Sequence, residues 1–117
     1  MNEILEKTLL LDFYGKLLTD KQREMFAMKY EDDMSLTEIA EEYNITRQGV
    51  SEAIKNAEKT LLEYESKLML VKRFNSLELI IEKIDKVVDS VTNEENKKQL
   101  NMLKKELEEI RKWNNGI

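Results

Sequence analysis

Residues 35–54, SLTEIAEEYNITRQGVSEAI, constrain this chain more than any other stretch, because they spell two capped helices joined by a sharp turn. Ser35 stands where an N-cap is needed, and Glu38 occupies the reciprocal position of a capping box. Ile39, Ala40 and Tyr43 then fall on one helical face. Asn44 is one of the few non-glycine residues that accept the left-handed backbone such a turn requires. Ile45 plugs the turn, Thr46 caps the next helix, and Val50, Ala53, Ile54 and Ala57 make its apolar stripe. Ala40 is small where the two helices cross. The pattern predicts a helix-turn-helix, which presents its second helix to a DNA groove, although capped helix pairs also occur in ordinary bundles.

The rest of the chain is predicted to be helical too. Its 117 residues contain no proline and only three glycines, Gly15, Gly49 and Gly116, far too few breakers for a sheet protein. Cysteine and histidine are both absent, which excludes disulfides, Ser-His and Cys-His nucleophile pairs and the usual zinc sites. There is no glycine-rich phosphate loop. The expectation is a non-enzymatic protein with no catalytic residue, metal, cofactor or small-molecule substrate. No apolar run is long enough for membrane insertion. Glu3 and Glu6 stand where a signal peptide would be basic, so a cytoplasmic location is expected.

Periodicity and caps divide the chain into a helix-turn-helix domain, residues 1–65, and a C-terminal helical hairpin, residues 66–117. A first helix is expected from about Asn2 to Tyr14, burying Leu5, Leu9, Leu10 and Phe13, with Leu17 after the turn and Gly15 at C′. Thr19 and Gln22 form a second capping box, opening a helix that carries Met25, Phe26 and Tyr30 inward and stops at Glu31, Asp32 and Asp33. The helix after Thr46 has no stop signal, and Ser66 is its weakest point. Leu70, Phe74, Leu77, Ile81, Ile84, Val88 and Val91 then alternate spacings of four and three, the seam of a helix packed lengthwise on another. Thr92 and Glu95 suggest a third capping box, and Leu100, Leu103, Leu107 and Ile110 continue the stripe toward Trp113. Leu79, Ile80 and Val87 broaden the seam beyond what one hairpin covers. The alternatives are ordinary core packing within a monomer and a homodimer interface through Phe74, Leu77, Ile81, Ile84 and Val88.

Charge complicates the DNA reading. Residues 1–65 hold eight Lys/Arg against fifteen Asp/Glu, whereas residues 66–117 hold eleven against nine. The helix-turn-helix therefore lies in the acidic half, yet affinity for duplex DNA depends on cations that neutralise phosphates. The candidate nucleic-acid-binding residues are Thr37, Thr46, Arg47, Gln48, Ser51, Lys55 and Lys59. Glu52 lies among them, and Gly49 sits where a side chain would otherwise read a base. Glycine there costs up to about 1 kcal/mol against alanine, so either something packs closely on it or the position is merely tolerated. The acidic groups at 31–33 and 41–42 lack the spacing of a calcium loop and read as solvated surface. Lys97, Lys98, Lys104 and Lys105, interleaved with Glu106, Glu108 and Glu109, read as a solubilising face.

The segment LTDKQREMFAMKYEDDMSLTEIAEEYNITRQGVSEAIKNAEKTL, Leu18 to Leu61, resembles the promoter-reading C-terminal domain of sigma factors. The opening Leu18-Thr19, Arg23-Glu24, Tyr30, the start at Ser35 and the closing Ala57 to Leu61 carry the likeness. It departs at the reading face, where sigma domains usually carry several arginines and this chain has Gln48, Gly49, Ser51 and Glu52. Over its full length, from ILEKTLLLDFYGKLLTDKQREMF to the hairpin tail, the chain resembles the YlxM family of small bacterial proteins. That resemblance implies a regulatory role and, because the family's genes tend to neighbour those of the signal recognition particle GTPase, a link to membrane-protein targeting. Two readings follow: a regulator that binds duplex DNA, or a scaffold that binds the signal recognition particle GTPase or its RNA without DNA contact.

Overall fold

The computed structural model describes residues 3–113. Among them are six α-helices, one 3-10 turn and no strand, so the fold is all-α. The helices are α1 (Glu3–Tyr14), α2 (Asp20–Tyr30), α3 (Leu36–Tyr43), α4 (Arg47–Leu68), α5 (Leu70–Ser90) and α6 (Glu94–Trp113), with the 3-10 turn at Gly15–Leu17. Two compact units result, one through Met69 and one from Leu70. Asn2, the side chain of Trp113 and Gly116, each named above, lie outside the described residues.

In the first unit α1, α2 and α3 pack on α4. Helix α4 supplies Val50, Ile54, Ala57 and Leu61, all buried, at spacings of four, three and four. Facing them are Leu10, Phe13, Tyr14, Met25, Phe26 and Ile39. The inner face of α1 is rotated from the expected one. Leu5 and Leu17 are exposed, and Leu11 and Tyr14 are buried instead. Gly15 does not turn left-handed either; it enters the 3-10 turn, and a Cβ there would stand 3.2 Å from the Leu11 side chain. Glycine here serves a close approach of the Leu11 side chain rather than a left-handed φ.

Two long-range contacts tie α1 to α4. The Tyr14 hydroxyl donates to Glu65 at 2.6 Å, with its ring stacked on Tyr64 at 6.0 Å between centroids. The Lys7 ammonium pairs with Glu58. Burial pulls the Lys7 pKa down, but the hydrogen bond and charge of Glu58 outweigh it and hold it above its usual value. Helix α4 does not break at Ser66. That hydroxyl donates back to the Glu63 carbonyl at 2.7 Å, and the helix ends at Leu68, where Met69 turns left-handed with φ 57.

The second unit is the hairpin of α5 on α6. Ile81 and Val88 are buried in it, while Phe74, Leu77 and Ile84 are half-buried. The start of α6 falls one residue later than the Thr92–Glu95 pair predicts. Asn93 is the cap: its side-chain oxygen accepts from the Glu95 and Asn96 N–H groups at 2.9 and 3.1 Å. The α6 stripe is also rotated. Leu100 and Leu107 face inward, but Leu103 and Ile110 are exposed, because Lys104 and Arg111 turn toward α5 to pair with Asp85 and Glu78.

Tyr14→Phe keeps the buried ring but strips Glu65 of its donor. It is expected to cost about 1.5–3 kcal/mol, the range for a hydrogen bond to a charged group. Tyr14→Ala is expected to cost roughly 3–5 kcal/mol through the cavity it leaves. Urea denaturation reads both. A Phe variant as stable as the wild type would leave the hydroxyl no structural role.

Candidate nucleic-acid interface

The turn between α3 and α4 is built from three local devices. Ser35 accepts from the Glu38 N–H and Glu38 accepts from the Ser35 N–H, both at 3.1 Å, closing the expected capping box. At the far end of α3, Asn44 is left-handed with φ 53 and ψ 47. The Ile45 N–H reaches the Ala40 carbonyl at 3.0 Å and the Asn44 N–H reaches Glu41 at 3.3 Å, the two bonds of a Schellman ending. Thr46 then caps α4, its side-chain oxygen accepting from the Gly49 N–H at 3.0 Å. A Cβ on residue 49 would lie 3.2 Å from that same oxygen. Gly49 is therefore packed against the cap.

A contact from outside the motif secures α3. The Tyr43 hydroxyl donates to Glu24 of α2 at 2.5 Å. Burial, and then this carboxylate, push the Tyr43 hydroxyl up to about 12, so it stays a donor at any physiological pH. Sequence reasoning assigned Tyr43 to the apolar face and missed its partner. Residues nineteen apart on different helices leave no local signal.

The candidate residues separate into three groups. Gln48, Lys55 and Lys59 lie on the side of α4 away from the buried stripe by helical spacing, Ser51 lies on its flank, and Arg47, three and seven residues before Val50 and Ile54, opens the helix nearer the stripe; all but the half-buried Ser51 are exposed. From Arg47 to Lys59 this side extends about 18 Å at the α-helical rise. Thr46 opens the same helix, but its oxygen is engaged as the cap. Thr37 is exposed on the first turn of α3, a different element. With these cations stand two carboxylates: Glu52, whose oxygen lies 3.5 Å from the Gln48 amide, and Glu58, on the flank between Arg47 and Ser51 and paired with Lys7.

Several acids of the first unit are engaged elsewhere. Glu58 pairs with Lys7, Glu65 accepts from Tyr14, Glu24 accepts from Tyr43, Asp20 pairs with Arg23, and Glu38 closes a cap. Arg47, Lys55 and Lys59 are thus left exposed, with no ion pair among the described residues, within an acidic segment. Arg47 and Gln48 have the paired donors and acceptors that read base edges, and Lys55 and Lys59 have the reach and charge for phosphates. Among the described residues no group of three His, Cys, Asp or Glu could hold a metal ion, and no helix is long and apolar enough to cross a membrane.

Fold and site together define a helix-turn-helix protein with an all-α C-terminal hairpin. The chain belongs to the UPF0122 family, described as "Putative helix-turn-helix protein, YlxM / p13 like", whose model matches residues 1–107. It is 53% identical over 87 residues to a UPF0122 protein of Caldanaerobacter subterraneus subsp. tengcongensis, covering 74% of each chain. It is 48% identical over 94 residues to one of Thermoanaerobacter pseudethanolicus, covering 80% of each. Against one of Desulforamulus reducens it is 43% identical over 112 residues, covering 92% of this chain and 96% of the other.

The capping box makes a pH prediction. The backbone hydrogen bond from Ser35 lowers the Glu38 pKa. A depressed folded-state value means that this contribution is present at neutral pH and is lost as pH falls through the lowered value. Glu38→Gln keeps an acceptor for the Ser35 N–H but removes the charge. Wild type should exceed the Gln variant in urea midpoint at neutral pH, and the gap should close below the carboxylate range. A gap independent of pH would remove the ionised box from the account.

Proposed function

We propose that this chain is a non-enzymatic regulatory protein that engages duplex DNA through the exposed side of α4. The observation that carries this reading is the placement of Arg47, Lys55 and Lys59, all exposed, on the second helix of a helix-turn-helix geometry, with Glu58 neutralised by Lys7, within a segment of net charge −7. In this reading Arg47 and Gln48 meet base edges, Ser51 adds a hydroxyl, and Lys55 and Lys59 meet phosphates. Three cations release few counterions. Binding to random duplex should therefore be weak, with the logarithm of the affinity falling by about three per tenfold rise in salt.

A second reading is supported by the opposite charge. Glu41 and Glu42 are exposed on α3. They would suit a basic protein partner, and of the partners the family resemblance suggests this favours the signal recognition particle GTPase over its polyanionic RNA. A crossover of two double variants separates the readings. Arg47→Ala with Lys55→Ala leaves the buried stripe intact. It should weaken duplex binding by roughly 1–3 kcal/mol for the arginine contact, plus a smaller phosphate share. Glu41→Lys with Glu42→Lys should leave duplex binding equal or stronger. It should weaken capture of the targeting GTPase if that is the partner. Fluorescence anisotropy with duplex DNA and with the GTPase reads both. Unchanged duplex affinity in the first variant would overturn the DNA reading.

A further inference from the structure

The hairpin of α5 and α6 has one closed side and one open side. On α5, Glu78 and Asp85 flank one edge of the seam Leu77, Ile81, Ile84 and Val88, and Ile80 and Val87 flank the other. On α6, Lys104 and Arg111 lie toward one edge of Leu100 and Leu107, and Leu103 and Ile110 toward the other. Asp85 meets Lys104 at 2.5 Å and Glu78 meets Arg111, so the charged edges close one side together. The two apolar edges must therefore share the opposite side. There Ile80, Val87, Leu103 and Ile110 are 43, 48, 52 and 39% exposed. Four large apolar side chains converging on one side of a two-helix unit form a patch that soluble surfaces seldom leave uncovered.

Register and charge say what covers it. The two ion pairs fix which residues of α5 and α6 stand at the same height. In that register Ile80 is level with Ile110, Val87 with Leu103, and Lys83 with Glu106, each to within one residue. Lys83 borders the open side on α5 and Glu106 borders it on α6. Both are exposed, and neither has an ion pair among the described residues. We infer that the open side docks a second copy of this chain, through a two-fold axis parallel to the helices, so that α5 of each copy lies over α6 of the other. A two-fold axis of that direction preserves height. It sets Ile80 on Ile110 and Val87 on Leu103, and it pairs Lys83 with Glu106 twice. An axis across the helices would instead lay α5 on α5 and bring like charges together. The product is an antiparallel four-helix bundle.

The test uses the full-length chain. Sedimentation equilibrium of the wild type should give a dimer. Ile80→Glu with Leu103→Glu should give a monomer with unchanged helical circular dichroism, because both residues are exposed in the single chain. Lys83→Glu and Glu106→Lys, each alone, place like charges at two symmetric contacts. Each should raise the dimer dissociation constant about tenfold or more. Mixed one to one, these two variants form a heterodimer in which both contacts are again opposite in sign, and the wild-type constant should return. A wild type that stays monomeric, a dimer indifferent to Ile80→Glu with Leu103→Glu, or a mixture no tighter than either variant alone would overturn the proposal.

Discussion

Val50, Ile54, Ala57 and Leu61 lie on one side of α4, and three other helices are held by covering them. Helix α3 is only eight residues long and could not persist alone. Its apolar Ile39 and Ala40 have somewhere to go only because α4 presents this stripe. The same requirement fixes the orientation of α4 about its axis. Once its stripe faces inward, Gln48, Lys55 and Lys59 must face outward, while Arg47 is exposed because it stands at the helix's first turn. The candidate interface is thus set by the core, with the Schellman ending at Asn44 and the Thr46 cap defining where it begins.

Electrostatics refine that surface. The acidic surplus of residues 1–65 would make a poor DNA-binding domain if spread evenly. The fold pairs several of those acids within its own helices or with α1 and α2, Glu58 of α4 among them, and leaves Glu52 beside Gln48 with no ion pair among the described residues. Exposed pairs such as Arg23–Asp20 contribute little stability. Their consequence here is in the local field rather than in the free energy of folding.

The devices that involve only neighbouring residues were legible in the sequence. Both capping boxes, the left-handed Asn44, the Thr46 cap and the α4 stripe follow from residue type and spacing over a few positions. What could not be read was anything set by partners far along the chain. Tyr14 and Glu65 are 51 residues apart, and Tyr43 and Glu24 are 19 apart. The rotation of α6 has the same origin. Its heptad pattern favours Leu103 and Ile110 inward, but Asp85 and Glu78 on the facing helix draw Lys104 and Arg111 across instead. The choice of Asn93 over Thr92 as cap was local yet ambiguous, since both residue types cap helices well. On the candidate interface, the exposed side of α4 was foreseen, but the close packing of Gly49 on its own cap was visible only in three dimensions.

That rotation connects the two proposals. With Leu103 and Ile110 turned inward, Ile80 and Val87 of α5 would be apolar groups left beyond the hairpin's own cover. The ion pairs on one side instead leave apolar groups exposed on the other, where the proposed second copy would cover them. In the proposed DNA-binding reading a single α4 side with three cations would bind duplex weakly. On the proposed dimer two such sides would make the second encounter intramolecular, with a gain set by the span between them rather than by any further contact. The asymmetry that leaves the hairpin unfinished would then also serve the first proposal, raising the affinity of a cation-poor helix-turn-helix without additional arginines on its reading face.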